Sequence, residues 1–225
     1  MNSKTLPDPQ HVIEQVAHKV RQLLEHDASG HDWWHIERVR HVALQLAQQE
    51  GADAFVVELA ALLHDIGDWK NQTDGQDRGA ELSRRWLEEF GLSRETIQHV
   101  AGIIEGISFK GAGVATEMPT LEGKCVQDAD RLDAIGAIGI GRAFAFGGSR
   151  GRPMHDPEVK PELHQSFEDY KRKSGATLNH FTEKLLLLQD RMQTATGRKW
   201  ARQRHHFTEE FYNRFLAEWD SRDMA

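Results

Sequence analysis

The sequence predicts an all-α fold, a single compact multi-helix domain. Three features carry that expectation. No proline interrupts the chain between Gln10 and Met118. Apolar residues recur through that stretch at helical spacing. No run alternates polar and apolar residues for long enough to build a sheet.

The elements follow in order. Val12, Ile13, Val16, Val20, Leu23 and Leu24 share one face of a first amphipathic helix. Ile36, Val39, Val42, Ala43 and Leu46 give a second, ended by Gly51. Asp53 is an N-cap candidate for the third, "AFVVELAALLHD", which is apolar nearly all round and so predicts the central buried helix, closed by Gly67. Helices are predicted over 77–90, ended by Gly91, and over 93–106, started by Ser93. "TLEGKCVQDADRLDAIGAIGIGRAFAF" predicts one or two buried helices. "GGSRGRPMHDPEVKP", residues 147–161, predicts a loop from its glycines and prolines, and "HFTEKLLLLQDRM" a helix. Beyond Thr194, Phe207, Phe211, Phe215, Leu216 and Trp219 fall on one helical face. No repeat, low-complexity tract or linker divides the chain, so residues 1–225 are expected to form one domain. Its motif region runs from about 25 to 135, and helices over 160–222 complete the pocket.

Composition narrows the function classes. With 39% hydrophobic and 28% charged residues in 225, the chain can bury a core without a disulfide or structural metal. A net charge of −7 argues against a nucleic-acid surface, although it leaves room for one anionic small-molecule pocket. Cys125 is the only cysteine, which rules out an internal disulfide and agrees with a reducing cytosol. No apolar run follows Met1, and stretches such as Ala54–His64 are too short to span a bilayer. A cytoplasmic protein with no membrane partner is therefore expected.

Histidine is the compositional outlier, with 13 residues, so position must discriminate among them. In "HDWWH", Asp32 is a good N-cap, which would leave His31 just outside the helix and put His35 in its first turn. A histidine near a helix start is more often only a polar terminus residue. His64-Asp65 follows the apolar "ELAALL", where a carboxylate is costly unless paired or metal-bound. The plainer reading is a helix-terminal histidine favoured by the dipole, with Asp65 capping something nearby. Asp128, Asp130 and Asp133 sit in another apolar stretch, where Arg131 is the ordinary partner and a cation the alternative. Two imidazoles and two carboxylates would suit Mn²⁺, Fe²⁺, Ni²⁺ or Mg²⁺ rather than a closed thiolate zinc site, and imidazole favours a transition metal over Mg²⁺.

"HDWWHIERV", "LLHDIGDWK" and "VQDADRLDAIGAIG" resemble the ordered H…HD…D signature of HD-domain metal-dependent phosphohydrolases. The resemblance runs from about residue 25 to about 215, and "HFTEKLLLL" and "MQTATGRKWA" look like one bacterial subgroup of small HD hydrolases. By position it implies His35, His64, Asp65 and Asp130 as metal ligands, with His31 in a supporting or structural part and Asp128 and Asp133 hydrogen-bonding locally. It implies a manganese-dependent pyrophosphohydrolase that cleaves nucleoside or deoxynucleoside triphosphates to monophosphate and pyrophosphate. Other branches act on nucleoside monophosphates or other phosphoesters. Ile107, in "GISFK", departs from relatives that carry histidine before "SF", which bears on substrate choice.

Around those ligands, Asp68 is expected to orient or deprotonate the attacking water and Lys70 to neutralise a phosphate; a solvated loop is the plainer reading of both. Lys184, Arg198, Arg202 and Arg204 make a basic set that could hold phosphates, or simply a solvated face; Lys184, Arg198 and Arg202 are the candidates. Trp33 and Trp34 are expected to split between core and rim, with base stacking the less favoured reading. "GGSRGR" lacks the lysine and the strand of a P-loop and is read as a mobile loop, and Cys125 as an inert core residue. The expected partner is a phosphorylated small molecule, with a homodimer left open. A nucleotide-sensing module and a structural metal site are the non-enzymatic alternatives.

Overall fold

A proline opens the first helix. Pro9 stands at the N-terminus of α1 (Pro9–Leu24), where its missing N–H is no loss, and the Asp8 carboxylate accepts from Gln10 N. A computed structural model of the protein describes residues 8–67, 77–172 and 175–224. Among these residues there are ten α-helices and no strand, so the protein is all-α. The chain gathers into two compact units.

The first unit comprises the chain through Asp27, His31–Ser108 and Glu117–Ala129. It holds α1, α2 (Trp33–Glu50), α3 (Ala54–Leu63), α4 (Gly79–Glu89), α5 (Arg94–Ile107) and most of α6 (Leu121–Asp133). α3 is the centre: it packs on α1, α2 and α5, and Val57, Leu59, Ala60, Ala61, Leu62 and Leu63 are fully buried. Its all-round apolar sequence needs neighbours on every side. Caps fix where these helices start. Asp53 accepts from Phe55 N and Val56 N, and Ser93 from Thr96 N. Gly51, at φ 81°, ends α2 in the left-handed region. Leu23 departs from the predicted apolar face of α1: it is 54% exposed, while Val20 and Leu24 turn inward.

The second unit comprises Ala28–Gly30, Phe109–Thr116 and the chain from Asp130 onward. It contains α7 (Gly136–Ser149), α8 (Phe167–Arg172), α9 (Asn179–Glu183) and α10 (Ala195–Trp219). The long apolar stretch resolves into two helices because the chain breaks at Gly136, whose φ is 76° and whose N–H donates to Thr208 Oγ1 at 2.7 Å. α7 and α10 pack together around aromatic rings, with Phe144 lying 5.9–6.0 Å from Phe181, Phe211 and Phe215. Phe207 is 46% exposed and stands apart from that set.

Two sequence expectations need correction here. "HFTEKLLLLQDRM" is not one helix. α9 stops at Glu183, Lys184 takes non-helical angles (φ −141°, ψ −60°), and two 3₁₀ turns follow, Leu185–Leu187 and Gln189–Arg191. Their three-residue repeat turns both Leu185 and Leu188 into the core. The loop predicted from residue 147 begins later, since α7 runs through Ser149. No helix among the described residues is long and apolar enough to cross a membrane.

Candidate metal centre

The first unit brings three histidines and one aspartate together. At the start of α2, Asp32 is extended (φ −81°, ψ 176°) and accepts from His35 N at 2.9 Å. That cap sets the helical phase, which buries Trp33 and His35 and leaves Trp34 61% exposed. His64 stands at the C-terminal end of α3, where its Nδ1 lies 2.8 Å from Ala61 O. Asp65 follows directly, and the turn closes at Gly67, whose φ is 74°. A Cβ there would lie 2.9 Å from Leu82 Cδ1 and 3.1 Å from the Arg78 carbonyl carbon, so only glycine fits.

These two helix ends aim their polar atoms at one another. His35 Nε2 lies 3.1 Å from His64 Nε2 and 3.5 Å from Asp65 Oδ2. His31 Nδ1 lies 2.6 Å from the same Asp65 oxygen. One donor atom each from His31, His35 and Asp65 falls within 4.8 Å of the others. His35 is fully buried, and His64 and Asp65 are 5% and 6% exposed. Burial pushes the Asp65 carboxyl up, but the imidazoles of His31, His64 and His35 more than offset it and hold the group well below the usual carboxylate range.

This donor set fits a divalent ion. The backbone carbonyl of Ala61 accepts a hydrogen bond from His64 Nδ1–H, so the ring presents Nε2 toward His35. Two imidazole nitrogens and a carboxylate converging among buried residues would give a divalent ion mixed nitrogen and oxygen ligation.

The remaining sequence candidates stand as follows. Asp68 and Lys70 lie outside the described residues. Asp130 is partly buried on α6, the first residue that α6 gives to the second unit. Within the first unit Gln127 Nε2 donates to the carbonyls of Gly106 and Ile107, both at 3.1 Å, so the end of α5 that carries Ile107 is tied to α6. Asp128 is fully buried. Asp133 pairs with Arg142 at 3.0 Å, and Arg131 donates to Thr116 Oγ1 and the Arg191 carbonyl. Cys125 is fully buried, and burial pushes its thiol up to about 12, with Asp128 adding to the effect.

The basic candidates separate. Lys184 Nζ sits 5.4 Å from the Phe109 ring centroid. Arg198 is exposed and donates to the Met192 and Gln193 carbonyls ahead of α10, Arg202 is exposed on α10, and Arg204 donates to the Leu132 carbonyl. The sequence reading passed over Arg191, which lies over Phe109 at 4.8 Å and donates to the carbonyls of Gly111, Ala112 and Val114. Nothing in "LQDRM" signals partners about eighty residues away.

The paired "HD" at the end of α3 and the histidine in the first turn of α2 meet a family pattern. The HD domain family matches residues 33–135, a span that contains His35, His64, Asp65 and Asp130. The uncharacterised Bacillus subtilis protein YpgQ is 40% identical over 199 residues, which are 88% of this chain and 89% of that protein. The chain belongs to the HD superfamily. Solved relatives of this HD protein extend the likeness. A Lactobacillus plantarum protein superposes with a TM-score of 0.85 at 34% identity, covering 98% of this chain and all (100%) of the other. YpgQ in complex with ADP superposes at 0.71 with 36% identity, covering 92% and 96%. An HD-superfamily hydrolase from Bacillus thuringiensis superposes at 0.70 with 43% identity, covering 95% and 99%. The protein is thus an HD-superfamily hydrolase with histidine and aspartate groups suited to a metal.

Proposed function

We propose that this HD hydrolase cleaves nucleoside or deoxynucleoside triphosphates to the monophosphate and pyrophosphate, using Mn²⁺ held by His35, His64, Asp65 and Asp130. The observation that carries the reading is the facing pair of Nε2 atoms on His35 and His64, 3.1 Å apart, with the His64 proton held on the far nitrogen by Ala61 O. Asp130 enters from its match to the last aspartate of the H…HD…D pattern. A divalent ion there polarises a phosphoryl oxygen and acidifies water at the reaction centre.

The chain's own residues supply the rest. Asp68 takes the proton of the attacking water and Lys70 offsets charge on the transferred phosphoryl group. Lys184, Arg198 and Arg202 hold the remaining phosphates. The crystal structure of YpgQ with ADP supports a nucleotide as the ligand class. The lone cysteine, kept as a thiol, fits a cytoplasmic setting.

The test is incubation of the purified protein with Mn²⁺ and a panel of nucleoside mono- and triphosphates, with products resolved by ³¹P NMR. Pyrophosphate from triphosphates is expected. Orthophosphate from monophosphates would mark a nucleotidase instead, and tight nucleotide binding without turnover would mark a sensor.

A further inference from the structure

We propose that Arg191 is a positioning residue for Lys184, acting through the Phe109 ring and the turn that follows it. The proposal rests on the reading of Lys184 as a side chain that holds phosphate, and all of its parts lie within the second unit. Arg191 Nη1 donates to the carbonyls of Gly111 and Val114 at 3.3 and 3.2 Å, and Nη2 donates to that of Ala112. Gly111–Val114 is a turn closed by its own bond from Val114 N to Gly111 O, so one planar guanidinium gathers three of its carbonyls. Both Nη1 protons and one on Nη2 are thereby committed to backbone, and the group serves to hold the loop. The same guanidinium lies 4.8 Å from the centroid of the Phe109 ring, just ahead of the turn, and Lys184 Nζ lies 5.4 Å from that centroid. Each cation is drawn to the negative face of the ring. Arg191 thus places the ring, and the ring places the ammonium.

The surroundings hold this arrangement. Gly113 N–H donates to His164 O at 3.1 Å. Gly111 takes φ 121°, and a Cβ there would lie 2.9 Å from the same His164 oxygen, so glycine lets the two segments approach. Arg131 donates to Thr116 Oγ1 and to the Arg191 carbonyl, which ties the far end of the loop to the backbone of Arg191 itself. Phe109 is buried, so its ring has little room to turn away. Lys184 stands where α9 ends, at φ −141° and ψ −60°, and the break leaves the direction of its side chain to tertiary contacts such as this ring.

The experiment is calorimetric titration with ADP of the wild type, Lys184→Met, Phe109→Leu, Arg191→Leu, Arg191→Lys and the double variant Arg191→Leu with Lys184→Met, each checked for helical content by circular dichroism. Lys184→Met should bind ADP roughly tenfold more weakly, the loss of one charge-assisted contact. Phe109→Leu and Arg191→Leu should each lose about two- to fivefold, the size of one contact between a cation and a ring. Arg191→Lys should do no better than Arg191→Leu, because one ammonium cannot span the three carbonyls. In the double variant the Arg191 change should add nothing to the Lys184 loss. Wild-type affinity in Arg191→Leu or Arg191→Lys would overturn the proposal. So would a full additional loss in the double variant, or a lower binding stoichiometry at unchanged affinity, which marks damage to the fold alone. A Lys184→Met variant with wild-type affinity would overturn the phosphate reading of Lys184, and a wild type that binds no ADP the nucleotide reading, and the positioning role would fall with either.

Discussion

His64 shows how much one backbone bond decides. Its Nδ1 contact with Ala61 O, within the last turn of α3, leaves Nε2 as the atom that the proposed metal site would use. The sequence could place this residue, because a His-Asp pair closing an apolar helix is costly without a partner. It could not show that His31 meets Asp65, since that bond spans 34 residues and depends on how α2 and the end of α3 pack. Asp32, by contrast, was fully legible: a cap acts within one turn. Cys125 makes a separate residue-scale test. Its thiol is raised to about 12, above the value it has unfolded, roughly 8.5. The sign follows: the neutral thiol's contribution to stability is complete below about pH 8.5 and is lost as pH climbs toward the folded value. A disulfide reagent at pH 8 should react with the native protein very slowly and with the urea-unfolded chain at once; fast native labelling would show that Cys125 is not sealed in the core.

At the scale of the element, the site depends on where one helix starts and another stops. Asp32 fixes the first turn of α2 and Gly67 closes the turn after α3, so the candidate ligands inherit their positions from a cap and a left-handed glycine. Asp32→Ala removes one capping bond and should cost about 1 kcal/mol of stability. It should also weaken Mn²⁺ binding, because His35 N–H loses its bond to the Asp32 carboxylate and keeps only the 3.1 Å bond to the Asp32 carbonyl. Thermal unfolding and the Mn²⁺ titration read the two effects, and a loss of stability with no change in Mn²⁺ affinity would separate the cap from the site. Helix starts and the central helix were readable because both follow from local chemistry. The segment after α9 was not. "LLLL" fits a helical and a 3₁₀ winding equally well, and the choice lies with the core that Leu185 and Leu188 enter.

For the whole molecule, periodicity without alternation was enough to give the all-α class, and the spacing of three short motifs was enough to give the superfamily. Substrate choice was much less legible. Cationic side chains are long and scattered along the chain, and their partners can be set by distant backbone, as Arg191 illustrates. An acidic chain, at net charge −7, gains no long-range attraction for an anion, so on the proposed reading recognition of a nucleotide would come from a few placed cations and the metal ion. The central claim is that His64 is a metal ligand in a catalytic site. The direct measurement is Mn²⁺ content by equilibrium dialysis alongside turnover, for the wild type and His64→Ala at matched helical content. The account requires stoichiometric Mn²⁺ and turnover in the wild type, and loss of both in the variant. A His64→Ala protein that keeps its Mn²⁺ and its full rate would contradict it.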